Sequence, residues 1–241
     1  TFHVVVPSNG SHLEGFIVQD GNASENYSDS RGKGGGLYAH GVNFSISECI
    51  FQGNRARQRG GAAYLLDTNA TFSNCTFSNN RGSGLGSGLG YAGAIYSKNA
   101  FLVMNSCQFN NNQADLDGGA IFAEYSEINA TSCAFSGNQN TTNNGGGAWA
   151  LKFCTLIDNH GTYTSNYSAS SGGSIDATDS NITITYAQFS SNQSLFYGAG
   201  GQFIDCNTTI SSSLFSGNSA NSNGGALFFE STPLTLKNNT F

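Results

Sequence analysis

Side chains along this chain alternate in short runs with a period of two. Phe44 and Ile46, Leu102 and Met104, Ile182 and Ile184, and Leu234 and Leu236 each bracket one residue of the opposite face. That is the pattern of strands buried on one side. A much longer period lies over it. Triplets of small residues end at Gly36, Ala62, Ala94, Ala120, Ala148, Ser174, Gly200 and Ala226. Fifteen positions after each stands an aromatic: Phe51, Phe77, Phe109, Phe135, Tyr163, Phe189, Phe215 and Phe241. Three positions further come Asn54, Asn80, Asn112, Asn138, Asn166, Asn192 and Asn218. The repeat is 26 residues (Gly36 to Ala62) except twice, 32 (Ala62 to Ala94) and 28 (Ala120 to Ala148). Both enlargements, residues 81–90 and 139–143, fall between the Asn and the next triplet, where a solenoid can lengthen one loop without disturbing its stack.

This predicts an all-β fold, a single-stranded parallel β-helix of about eight ~26-residue rungs over residues 34–241. Three short strands are expected per turn. Residues 1–33 fit as a partial rung, with 15–18 as its strand and 22–33 as a long loop. Leu37, Ala63, Ile95, Ile121, Trp149, Ile175 and Leu227, one after the triplet, are expected inside.

Cys49, Cys75, Cys107 and Cys133 occupy one column, two residues before the aromatic, and Gly161, Ala187 and Ser213 continue it. Rungs about 4.8 Å apart bring neighbouring Cα atoms within disulfide range. The small replacements fit buried thiols equally well, so both states stay open. Cys154 and Cys206 share another column with Ser180 between them, two rungs apart and too far to bridge.

The Gly118-Gly119-Ala120-Ile121 and Gly225-Ala226-Leu227 triplets, with Phe77 to Asn80 and Phe215 to Asn218 as Phe-x-x-Asn, resemble the repeats of polymorphic outer membrane proteins. The resemblance covers nearly the whole chain. It implies a right-handed β-helix shown at a cell surface, often for adhesion, with no catalytic residues. Similar repeats look widespread in large surface proteins of microbial eukaryotes.

Composition narrows the function classes. Only 10% of residues are charged, well below the roughly 25% of ordinary soluble domains. The net charge of −6, with nine Lys and Arg, offers no basic stripe for nucleic acid. No apolar run nears the roughly 20 residues of a transmembrane segment. Thirteen Asn-x-Ser/Thr sequons are present. Asn43, Asn69, Asn181 and Asn207 share one outward column, and Asn22, Asn26 and Asn140 lie on loops; these seven are the expected N-glycan acceptors. Asn166 and Asn192 belong instead to the Phe-x-x-Asn column, where their amides would serve the turns.

Tyr38, Tyr64, Tyr96 and Phe122 form an aromatic stripe expected on the solvent face. It reads as cross-rung stabilisation, a lateral association surface, or a stacking platform for a polysaccharide. Paired acids for hydrolysis, or a Ca²⁺ cage with a basic residue for lyase chemistry, are not gathered in any one column. Asp67, Asp179 and Asp205 read as Asx turns, and Asp176 has Ala150 and Gln202 as column neighbours. No catalytic residue, metal site or cofactor is expected.

The sequence stops inside a repeat at Asn239-Thr240-Phe241, so a longer natural chain, or self-association of the ends into a filament, is expected. The reading carried forward is a non-enzymatic structural or adhesive glycoprotein, extracellular or at the cell surface. Its alternatives are a carbohydrate-binding module on the aromatic stripe, or a polysaccharide lyase or hydrolase on a β-helix scaffold.

Overall fold

The computed structural model describes residues 2–25, 30–84, 90–142 and 145–241. They form a right-handed parallel β-helix with four strands per rung, not the three expected from alternation alone. In the first complete rung these are Leu37–His40, Asn43–Ser47, Ile50–Gln52 and Arg55–Ala56. Each strand lies in register on its counterpart in the next rung, giving four parallel sheets, one of nine strands and three of eight. The fourth strand is only two residues long, too short for a period-two signal to register. The N-terminal region adds Ser11–Glu14, Ile17–Gln19 and Asn22–Ala23 to three of those sheets.

Single residues in the left-handed region make the corners between strands. One corner column runs Gly41, Asp67, Asn99, Tyr125, Phe153, Asp179, Asp205 and Ser231, all with φ between 48° and 66°. Gly, Asn and Asp accept this conformation readily, whereas other L-residues lose roughly 1–2 kcal/mol there. Just past the left-handed residue, a small donor ties six of these eight corners. Thr68, Ser126, Cys154, Ser180, Cys206 and Thr232 each donate to the carbonyl two residues back. Cys75, Cys107 and Cys133 do the same at the next corner, and Ser213 replaces them there. All six cysteines are buried free thiols, and five of them, all but Cys49, fill this hydroxyl-like role.

Two ladders fill the interior. The aromatic column stacks nearly face to face from Phe51 through Phe77, Phe109, Phe135, Tyr163 and Phe189 to Phe215, with centroids 4.5–5.1 Å apart. Beside it runs the Asn column. Asn112 Nδ2 donates to Phe77 O at 2.9 Å and to Asn138 Oδ1 at 2.9 Å, and that same Oδ1 accepts the Asn112 backbone N–H. The motif repeats from Asn54 to Asn192.

One rung departs from the apolar interior. Asp158 takes an inward position between Ala130 and Ile184 and is fully buried. It uses the space that Gly161 leaves in the cysteine column, where a Cβ would stand 2.3 Å from its Oδ2. Tyr163 Oη donates to it at 2.9 Å. Burial pushes its carboxyl up to about 7 from 3.8, against that hydrogen bond.

Two expectations follow. Asn112→Ala strands the Asn80 N–H and the Phe77 carbonyl, at about 1–3 kcal/mol for each buried group left unpaired. Urea unfolding should show that loss, while Asn207→Ala on the exposed column should change stability by less than about 0.5 kcal/mol. For Asp158 the folded state keeps its proton after the unfolded chain has lost it. Its contribution is complete below about pH 4 and falls away as pH rises to about 7. Asp158→Asn keeps an acceptor for Tyr163, so its unfolding midpoint should decline less between pH 4 and 7 than that of the parent.

Candidate functional site

The sequon column is largely as the register requires. Asn43 pairs with Asn69 and Asn181 with Asn207 on the sheet of five-residue strands, and all four are exposed. Phe101, Glu127 and Thr155 fill the rungs between them. Asn22 is exposed too. Asn26 lies outside the described residues. Asn140 is a correction: it sits in the strand Gln139–Asn140, fully buried, with Oδ1 accepting from the Ala169 N–H at 3.1 Å. No glycan reaches a side chain so enclosed. Asn166 and Asn192 are buried in the Asn ladder.

The aromatic stripe is a second correction. Tyr38, Tyr64 and Tyr96 stack on the outer face of the sheet that starts at Leu37–His40, the first sheet, with centroids 5.4 and 5.2 Å apart, and Phe122 follows edge-on. Yet Tyr64, Tyr96 and Phe122 are 3% exposed or less, and only Tyr38 is half-buried. The segment between Asn and the next triplet folds back over them. It lays Lys33 5.4 Å from the Tyr64 ring, Arg59 4.9 Å from Tyr96 and Tyr91 5.1 Å from Phe122. Tyr96 donates its hydroxyl to Glu124, and burial followed by that bond holds the phenol well above its usual value. The stripe is a second, smaller core and no platform for sugars.

Beyond Phe122 the same file continues as Ala150, Asp176 and Gln202, and the covering segment leaves a polar cleft there. Asp117 is buried at its edge. Its Oδ1 accepts from Gly145 N–H at 3.0 Å and its Oδ2 from Lys152 Nζ at 3.2 Å. Burial raises the Asp117 carboxyl, with Lys152 pulling the other way. Asp176 reaches Gly145 so closely that a Cβ there would collide with its Oδ2. The groove therefore gathers two acids and a lysine. No single column predicted this, because its members come from different columns. Among the described residues no group of three or more His, Cys, Asp or Glu could hold a metal ion, and no helix is long and apolar enough to cross a membrane.

A third feature escaped the sequence reading. Tyr125 and Phe153 occupy the left-handed corner column otherwise held by Gly, Asp, Asn and Ser. They stack at 4.9 Å and 7°, yet stand 53% and 50% exposed. Lys98 Nζ lies 5.5 Å from the Tyr125 ring. Their signal was available: two large rings in a column of which Asp67, Asp179 and Asp205 are read as Asx turns.

Comparison with known proteins agrees with this architecture. No curated protein matches the chain. A solved structure of QnrB1, a plasmid-mediated fluoroquinolone resistance protein, aligns over 98% of this chain and 89% of its own at 13% identity, but with a TM-score of 0.21. Residues 212–230 match the Chlamydia polymorphic membrane protein repeat, the type that the triplets and Phe-x-x-Asn motifs resemble. Residues 8–160 match the family described as right handed beta helix region, and with more than half its length matched the chain belongs to that family.

Proposed function

We propose that this chain is a non-enzymatic, adhesive part of a cell-surface protein, a stiff shaft that presents Tyr125 and Phe153 to a partner. The carrying observation is the pair of exposed rings held in left-handed corners. Bulky residues pay for that conformation, and backbone strain is retained where the site has a use for it. Packing does not explain the rings, since half of each faces solvent. The surface location draws support from the repeat matched at residues 212–230.

A polysaccharide is the partner we assign to this pair, because two parallel stacked rings present an apolar patch of ring edges and outer face to solvent, with the Lys98–Glu124 pair at its rim. The carbohydrate-binding reading thus moves from the buried stripe to this corner. N-glycans on Asn22, Asn43, Asn69, Asn181 and Asn207 belong to the same proposal, with Asn181 and Asn207 lining the same surface hollow as Phe153. A lyase or hydrolase reading has the cleft in its favour, but Asp117 there is already engaged by Lys152 and Gly145, which leaves Asp176 without a free partner acid.

The test is a Tyr125→Asn/Phe153→Asp double variant, which gives the column its ordinary residues. Relief of about 1–2 kcal/mol per corner outweighs the roughly 0.5–1.5 kcal/mol of the stacked pair. Unfolding free energy should therefore rise by about 1 kcal/mol or more. Adherence to immobilised polysaccharides or host cells, read on protein-coated beads, should fall at least tenfold. Unchanged adherence would remove the proposal, and a loss of stability would make the rings a structural device.

A further inference from the structure

Two files of side chains face each other along the outer side of the first sheet. One is the strand file Tyr64, Tyr96, Phe122, Ala150, Asp176, Gln202 and Phe228. The other comes from the overlying segment, offset by one rung. At both ends the files close on each other through rings and cations: Lys33 on Tyr64, Arg59 on Tyr96, Tyr91 on Phe122, and Tyr197 on Phe228 at 4.7 Å. In the middle three rungs they do not. Asp117, Gly145 and Ser171 line one side and Ala150, Asp176 and Gln202 the other, around a cleft of about 260 Å³. That is just below the roughly 300–1,000 Å³ typical of drug-sized ligand pockets, so a small molecule is the fitting occupant.

The cleft's polar groups are unevenly satisfied. Gln202 is 6% exposed, and its Oε1 is enclosed without a hydrogen-bond partner. A buried acceptor in that state loses about 1–3 kcal/mol unless something donates to it. Among the described residues the Asp176 carboxylate has no hydrogen bond or ion pair either, while Lys152 is committed to Asp117. Summed over the cleft, Lys152 cancels Asp117 and one negative charge remains on Asp176. The one enclosed group without a partner is an acceptor, and the uncancelled charge is negative.

We infer that this cleft binds a small ligand through a primary ammonium group, whose N–H donors meet Asp176 and, once the Gln202 side chain turns toward the cleft, its Oε1. A divalent cation fits less well, because the Lys152 ammonium lies 3.2 Å from Asp117 Oδ2 and takes that oxygen from any metal. A neutral polyol supplies donors but leaves the Asp176 charge unmatched. The groups that face Asp176 electrostatically are Asp117, Lys152 and the Cys206 thiol. Burial, then the charge of Asp117, pushes the Asp176 carboxyl up to about 7, with Lys152 opposing. An arriving cation stabilises the carboxylate, so binding near pH 6 releases a proton.

Calorimetric titration of the whole chain with three probes tests this. Ethanolamine carries charge and N–H donors, choline carries charge without N–H, and ethylene glycol carries neither. Ethanolamine is expected to bind at one site per chain, at least tenfold tighter than the other two. Repeating the titration at pH 6 in buffers of different ionisation enthalpy should show proton release. Asp176→Asn and, independently, Gln202→Leu should each weaken ethanolamine at least tenfold while the thermal unfolding transition is retained. Equal binding of ethylene glycol or choline, no binding of ethanolamine, or binding indifferent to whichever variant folds would overturn the inference.

Discussion

Like must sit upon like in this molecule. A repeat of constant length places each side chain directly over its counterpart one rung away, so a residue type succeeds only if it can stack on itself. Asn does this by donating to the next Asn while closing the turn of the rung before. Phe does it by offset ring stacking at 4.5–5.1 Å. Charges stack badly, since like charges in register repel. The low content of charged residues, 10%, follows from that geometry as much as from any feature of the surroundings.

The same constraint explains what could be read from the sequence. A column is a fixed offset from the triplet, so the inward file from Leu37 to Leu227, the aromatic and Asn ladders, the cysteine column and the exposed Asn43, Asn69, Asn181 and Asn207 were all legible. Features off the columns were not. The segment that covers Tyr64 and Tyr96 varies in residue type and length from rung to rung, so its fold-back left no signal and the stripe looked open to solvent. Asn140 sits in the same kind of segment and was read as loop when it is strand. The cleft joins Asp117 to Asp176, two rungs apart in the repeat, through a fold-back of the covering segment that only coordinates reveal. Tyr125 and Phe153 were visible as letters, but their meaning depends on the left-handed backbone of their column.

Departures from a column therefore deserve a physical reason. Asp158 has one in the room left by Gly161 and the hydroxyl of Tyr163. Five of the six thiols have one in the hydroxyl-like bond each gives its corner. Tyr125, Phe153 and the Asp176–Gln202 pair lack such a structural reason. They lie on one side of the shaft, on and just beyond the strands of the first sheet, where the stack supplies a rigid base for a contact.

The account rests on the ladders as the unit of stability and the corners as locally adjustable positions. Native-state hydrogen exchange followed residue by residue reads that division directly. The backbone N–H groups of Asn80, Asn112, Asn138 and Asn166, each bonded to the next Asn side chain, should exchange only through global unfolding. The corner amides of Tyr125 and Phe153 should exchange through local opening at a free energy several kcal/mol lower. If the Asn amides exchange as readily as the corners, the ladders do not hold the stack together and the account fails.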